Sequence, residues 1–485
     1  MKKISNILCI ATIILFSGTS CDDLLDISPK SSITVASMWK SPEDAMGAIY
    51  GAYNQFRSAY GGNYHNWGDY RTGFYGDGVQ PGSFYKANLW NNTLVPDDDG
   101  CDWGSIYTMI NDCNLILKYV PDIEFRNQND KDFILGNAYF LRAFAYFYIA
   151  RIWGDAPVLL NPHESAVQEG MFPVRNPVEE VFTQAETDVE QAVSLIPEGY
   201  IKGKGTASKE TANMLKADIY LWRTKVNGKD GLNKASEAID YVLKTTKYSL
   251  SGRYQDVFTN DNNGELMLSI IYDLNETTRN EGFIQPTANV PAVIQNNPVA
   301  VQSGTNWYNL TQSYRDFLQE DPNDSRAKVN ALDFYYESGG EVKYYLWVDK
   351  YKGSLVSGTR IFDSDYRVYR FAEAILFKAE ILNETGRTEQ AIQELNKIAK
   401  RAYGIDNYYS SAFTKAEVDN LILNERIKEF STEGKAWFDF IRFGKAFDRI
   451  ASLKGKENQQ NILLWPVSYD SMNRNENITQ TPGYE

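Results

Sequence analysis

Apolar residues recur along most of this chain at helical spacing. Ser41-Pro42-Glu43-Asp44 opens the first such stretch, because Ser41 suits a cap and Pro42 the first helical position, and the helix is predicted to run to about Ser58. Ile106, Ile110, Cys113 and Leu117 mark a second helix over 103–119. A third, over 130–153, is apolar on most sides through Phe140, Leu141, Phe144, Phe147, Tyr148 and Ile152, which predicts a central position. Asn176-Pro177 opens a fourth that ends at Pro197.

The pattern then repeats itself. Ala379, Leu382, Gly386, Ala391, Leu395 and Ile398 keep the offsets 0, 3, 7, 12, 16 and 19 of a tetratricopeptide repeat, where small residues let two antiparallel helices approach and the glycine turns the chain. Ala185, Val189, Ala192 and Pro197 repeat the second-helix half, as do Ala235, Ile239 and Val242. The fold class is therefore mostly α, a tetratricopeptide-like scaffold of about four helix pairs. The predicted pairs are 41–58 with 103–119, 130–153 with 177–196, 208–226 with 232–246, and 364–384 with 388–403. Two long insertions, residues 60–102 and 250–360, lack helical period and are rich in Gly, Asn, Asp, Tyr and Trp, with short strands expected at Leu266 to Tyr272 and Val342 to Val348. Their aromatic content argues against disorder and for a functional role.

Composition narrows the chemistry. The 485 residues are 43% hydrophobic, enough for a large core, and 63 Asp+Glu exceed 49 Lys+Arg to give a net charge of −14. No basic block offsets this, which argues against a nucleic-acid partner. With 32 Tyr, 24 Phe and 10 Trp against 2 His, the chain reads as a binder more than a metal or acid–base enzyme. His65 and His163 show no metal-ligand spacing or nucleophile motif, and Asp97-Asp98-Asp99-Gly100 with Asp102 matches no calcium loop, reading as a solvated acidic turn. No cofactor and no metal is expected.

At the N-terminus, Lys2 and Lys3 precede an apolar run from Ile7 to Phe16, then Ser17, Gly18, Thr19, Ser20 and Cys21. The run is too short to span a bilayer. Residues 1–20 read as a bacterial lipoprotein signal peptide, with Cys21 as the lipidated residue that anchors the chain to the membrane, and Asp22-Asp23 resembles a surface-export signal. Cys101 and Cys113 are expected to be free, packed thiols.

Several fragments share one resemblance. They are Cys21 after its leader, Gly47-Ala48-Ile49-Tyr50-Gly51-Ala52-Tyr53, Ala138-Tyr139-Phe140-Leu141-Arg142-Ala143-Phe144-Ala145-Tyr146 and Gly154-Asp155-Ala156-Pro157. Toward the C-terminus follow Glu425-Arg426, Glu429, Glu433-Gly434, Trp437-Phe438-Asp439, Arg442-Phe443-Gly444, Leu464-Trp465-Pro466-Val467 and Thr481-Pro482-Gly483-Tyr484. In this order they resemble the SusD/RagB family of Bacteroidetes surface lipoproteins. Ile427 and Trp465 depart from the residues usual there, at scaffold positions. The resemblance implies an N-terminal region over 21–250 with helices and ligand loops, a C-terminal region over 251–485, and no enzymatic activity. It further implies an outer-membrane location on the extracellular face, and an oligosaccharide ligand handed to a SusC-like TonB-dependent transporter. An oligopeptide ligand with the same partner is the first alternative, and a glycoside hydrolase a distant one.

A sugar site needs an exposed aromatic platform beside amide, carboxylate or guanidinium groups. Trp103, Trp153, Trp222, Trp437 and Trp465 fall at helical or motif positions that favour core packing, whereas Trp67, Trp90 and Trp307 fall in the insertions. Trp67 shares a glycine-flexed stretch with Asp69, Arg71 and Tyr75, Trp90 precedes Asn91, and Trp307 precedes Tyr308. These eight residues are the predicted ligand contacts.

Overall fold

The computed structural model describes residues 38–78, 86–165, 168–261, 263–273, 275, 307–410 and 412–484; the leader and Cys21 lie outside them. The long helices are α1 (Pro42–Tyr60), α2 (Gly104–Tyr119), α3 (Gln128–Ile152), α4 (Val178–Leu195), α5 (Lys209–Lys225), α6 (Leu232–Leu243), α7 (Phe371–Glu384), α8 (Thr388–Tyr403) and α9 (Lys415–Glu429). A shorter α10 (Ala436–Arg442) follows. The start of α1 is fixed as its sequence predicts: the Asp44 N–H donates to Ser41 Oγ while the Asp44 carboxylate accepts from the Ser41 N–H, with Pro42 at the first turn.

All four predicted helix pairs pack side by side, and each of α1 to α8 also lies against the next, so the pairs form one continuous array. Gly386 turns the chain between α7 and α8 at φ +75°, a backbone that a side chain would strain. Helix α3 lies at the centre, buried along nearly its whole length from Phe133 to Ile152. It is apolar and long enough to cross a membrane by composition, yet 89% of its most apolar window is buried within the protein. Cys101 and Cys113 are free and buried.

Helix α7 starts later than the apolar pattern suggests. The residues before it form β8 (Tyr366–Arg370), which pairs antiparallel with β2 (Leu266–Ile270), and both strands are buried along their whole length. Further short pairs are β1 (Tyr75–Asp77) with β3 (Tyr308–Leu310), β4 (Leu332–Ser338) with β5 (Glu341–Trp347), and β6 (Ser354–Val356) with β7 (Thr359–Ile361).

The motif residues of the C-terminal half pack as paired charges. Arg370 bridges Glu433 at 2.8 Å and Glu429 at 3.0 Å, Arg326 meets Glu425 at 2.7 Å, Arg426 meets Asp439 at 2.9 Å, and Arg442 meets Glu380 at 2.9 Å, all buried. Burial alone raises a carboxyl, but Arg442 and Lys225 outweigh it at Glu380 and hold that group down at about 2. The Glu425-Arg426 to Glu433 motif thus serves the scaffold.

Candidate functional site

The first insertion folds inward. Residues Tyr64–Gly68 form one short helical turn whose side chains are all buried, including Trp67. The Trp67 indole N–H donates to the Gly100 carbonyl at 2.9 Å, and its ring meets Tyr60 and Trp153 edge-on at 5.6 and 5.7 Å. It offers no face to solvent, which corrects its predicted role as a platform. Beside it, Gly68 crosses Gly434 so closely that a β-carbon would fall 1.9 Å from the Gly434 carbonyl oxygen.

Asp69 and Arg71 are likewise interior groups. The Asp69 carboxylate pairs with His65 Nδ1 at 2.8 Å and accepts the Gly434 N–H at 2.9 Å. Burial lowers the His65 pKa, with Asp69 opposing. Arg71 donates to Asn92 Oδ1 at 2.8 Å and to the Leu464 carbonyl at 3.0 Å, and lies 4.1 Å above the Trp437 ring. Burial among these neutral acceptors pulls its guanidinium down to about 10. The predicted guanidinium for ligand hydroxyls is instead the clasp that holds the C-terminal segment.

What the sequence places in two separate insertions, the fold joins. Strands β1 and β3 pair with Tyr75 opposite Leu310, Gly76 opposite Asn309 and Asp77 opposite Tyr308, and the Gly78 N–H donates to the Trp307 carbonyl at 2.9 Å. Beneath this ladder sit Tyr70, Tyr75, Trp90 and Tyr308, all buried, with Tyr70 4.7 Å from Tyr75 and 5.2 Å from Tyr308, and Trp90 6.4 Å from Tyr308. Lys86 closes the cluster, its ammonium 5.3 Å from the Tyr70 ring centre, bonded to Asn66 at 2.7 Å and paired with Asp99 at 3.1 Å. Tyr75, Trp90 and Tyr308 therefore floor the ladder and do not face solvent, a second correction.

Tyr308, Asn309 and Leu310 of β3 are all buried, whereas Trp307, the residue just before the strand, is 42% exposed, the only exposed tryptophan among the described residues. Asp77 and Asn91 are exposed as well. Of the eight predicted contacts, Trp307 and Asn91 are the ones exposed at the surface.

A second aromatic surface escaped the sequence reading. On the β4–β5 hairpin Tyr335 sits opposite Tyr344, 69% and 37% exposed, next to exposed Val342. The Arg315 guanidinium lies 4.1 Å from the Tyr344 ring and pairs with Asp333 at 2.6 Å, and the Gln319 amide donates to the same carboxylate at 2.9 Å. Strand β3 packs against β5, which ties this surface to the Trp307 ladder. Alternation over residues 332–337 was a usable signal for the hairpin, but which face it buries depends on β3.

The acidic turn spends its carboxylates locally: Asp98 accepts the Val95 N–H at 2.8 Å and the Asn88 amide at 3.0 Å, and Asp99 is held by Lys86. Among the described residues no group of three His, Cys, Asp or Glu is arranged to hold a metal.

The comparisons with known proteins place this mostly helical array in a class of outer-membrane nutrient-binding proteins. Residues 23–221 match the family described as starch-binding associating with outer membrane, and residues 299–484 match the SusD family. The chain belongs to the SusD/RagB family. It is 27% identical to a SusD-like protein of Formosa agariphila, with both chains covered in full. In structure it resembles NanU of Bacteroides fragilis with a TM-score of 0.82 at 24% identity, covering 95% of this chain and 100% of that one. A SusD superfamily protein from Bacteroides fragilis superposes with a TM-score of 0.79 at 25% identity, covering 92% of this chain and 100% of the other.

Proposed function

We propose that this chain is a surface lipoprotein, anchored through Cys21, that captures an oligosaccharide and delivers it to a SusC-like TonB-dependent transporter of the outer membrane. It binds its ligand without chemistry. Trp307 carries the reading: its exposed ring stands at the end of the β1–β3 ladder, where its carbonyl accepts the Gly78 N–H at 2.9 Å, and it offers an apolar face to a sugar ring. The exposed Tyr335 and Tyr344 rings on the hairpin that packs against β3 supply a second aromatic surface, with Arg315, Asp333 and Gln319 beside it as hydroxyl partners.

Calorimetry of the soluble chain beginning at Asp22, titrated with a panel of oligosaccharides and a mixed oligopeptide pool, tests the reading. Glycan binding that Trp307→Ala removes and Tyr335→Ala weakens is the expected result. Peptide binding with no response to any glycan would move the protein to an oligopeptide ligand, and release of reducing sugar on long incubation would make it a hydrolase.

A further inference from the structure

One tyrosine and one carboxylate on the β4–β5 hairpin already hold a cation of the chain itself. The Arg315 guanidinium lies 4.1 Å from the Tyr344 ring centre and pairs with Asp333 at 2.6 Å and Asp316 at 3.1 Å. The face of the ring attracts the cation through its quadrupole, and the carboxylates balance the charge.

The hairpin repeats this combination of groups two residues along. Asp333, Tyr335 and Glu337 of β4 are exposed while Phe334 and Tyr336 between them are partly covered, so the three share one face. Register sets Tyr344 opposite Tyr335 and Val342 opposite Glu337 on that same face. Tyr335 is 69% exposed, the most open aromatic residue among those described. Neither its side chain nor that of Glu337 has a hydrogen bond, ion pair or ring contact, so both are available to a ligand. The two lie about 7 Å apart along the strand, a distance that one sugar ring and its substituent can bridge. Arg315 is committed to its two aspartates, which leaves Glu337 as the uncompensated charge beside the open ring.

We infer that Tyr335 and Glu337 select a ligand that carries a protonated amine, an amino sugar whose ring lies on Tyr335 and whose ammonium meets Glu337. A lysine side chain offers the same ammonium on a thin flexible stem, which leaves the Tyr335 ring and Val342 uncovered, so a ring-borne amine fits this face better. An acidic sugar would meet Glu337 with like charge. The inference rests on the glycan reading proposed above and adds the charge of the sugar.

Calorimetry on the chain beginning at Asp22 tests it with oligosaccharides in pairs of equal length and linkage, one with free amines and one N-acetylated, beside an oligolysine peptide. Thermal midpoints are recorded for every variant. At pH 6 such an amine is protonated, and the free-amine member is expected to bind roughly fivefold more tightly or better, the gain of one exposed ion pair and one cation–aromatic contact together. Glu337→Gln should remove that preference and leave affinity for the acetylated member unchanged, while Tyr335→Ala should weaken both. Glu341 sits opposite Ser338 at the hairpin tip, one residue out of step with Val342 and Tyr344, so Glu341→Gln should keep the preference intact. All three variants should hold the parent thermal midpoint. Equal affinity within the pairs, a preference that survives Glu337→Gln or is lost in Glu341→Gln, no response to any free-amine member, or tighter binding of the peptide would each overturn the inference. Equal affinity would leave the glycan reading standing, whereas peptide binding with silence toward every oligosaccharide removes both.

Discussion

The two insertions have similar composition and opposite fates. The first, from residue 60 to 102, turns its tryptophans, its Asp69 and its Arg71 into the core, whereas the second holds Trp307, Tyr335 and Tyr344 out to solvent. The difference lies in what each one meets. Around Trp67 stand Tyr60, Trp153 and an open carbonyl at Gly100, so the indole satisfies both its ring and its N–H by going inside. The β4–β5 hairpin instead buries Tyr345 and Trp347 on one face, and alternation then commits Tyr335 and Tyr344 to the other. Aromatic richness in a loop therefore marks neither core nor binding face until its neighbours are known.

The largest effect that separates the two insertions is expected at Trp67. Trp67→Ala should cost about 3–5 kcal/mol in urea unfolding, because it empties a fully packed site. A stability equal to that of the parent chain would place the ring at the surface after all. Arg71→Met should cost about 3 kcal/mol by the same measurement, since Asn92 and the carbonyls near Leu464 lose their buried donor.

Acidity should sharpen the contrast next. Asp365 accepts the Tyr272 N–H at the base of the second insertion, and burial pushes its carboxyl up to about 7. The folded chain then holds this proton more tightly than the unfolded one, so stability from this group is complete below about 4 and is lost as pH rises toward 7. Glu380 acts in the opposite sense, losing its contribution only as pH falls from about 4.5 to about 2. The urea midpoint should therefore rise as pH is lowered from 8 to 5 and collapse further down, and Asp365→Asn should flatten the first limb alone.

The smallest stability effect belongs to the exposed ring. Trp307→Ala should change unfolding by less than about 0.5 kcal/mol while removing glycan binding. A large loss of stability there would erase the distinction between the two insertions.

Much of the scaffold was legible because it rests on local spacing: Ala379 to Ile398 carries its helix pair within one repeat, and Gly386 marks the turn. Tyr366–Arg370 misled the helix reading because its strand partner, β2, lies about a hundred residues earlier. Trp67 and Arg71 misled the site reading for the same reason, since polar residues beside a tryptophan describe a sugar site and a satisfied interior equally well. Trp307 was named beside Trp67 and Trp90 with nothing in the sequence to tell the exposed ring from the buried ones, because the ladder next to it pairs residues from both insertions.

The crossing of Gly68 with Gly434 has a consequence for how the chain reaches this state. The Asp69 to Gly434 contact spans 365 residues, and Arg71 and Trp153 close comparable loops onto Leu464 and Pro466. Contacts this distant in sequence form late, after the helix pairs have paid their own ordering entropy. During synthesis the helices up to α6 can assemble as they emerge, while the first insertion waits for the segment from Gly434 onward to lock it. The C-terminal segment is thus a closing stitch, and a chain cut short before residue 460 should show helical structure with an unlocked first insertion, readily nicked by protease between residues 60 and 102.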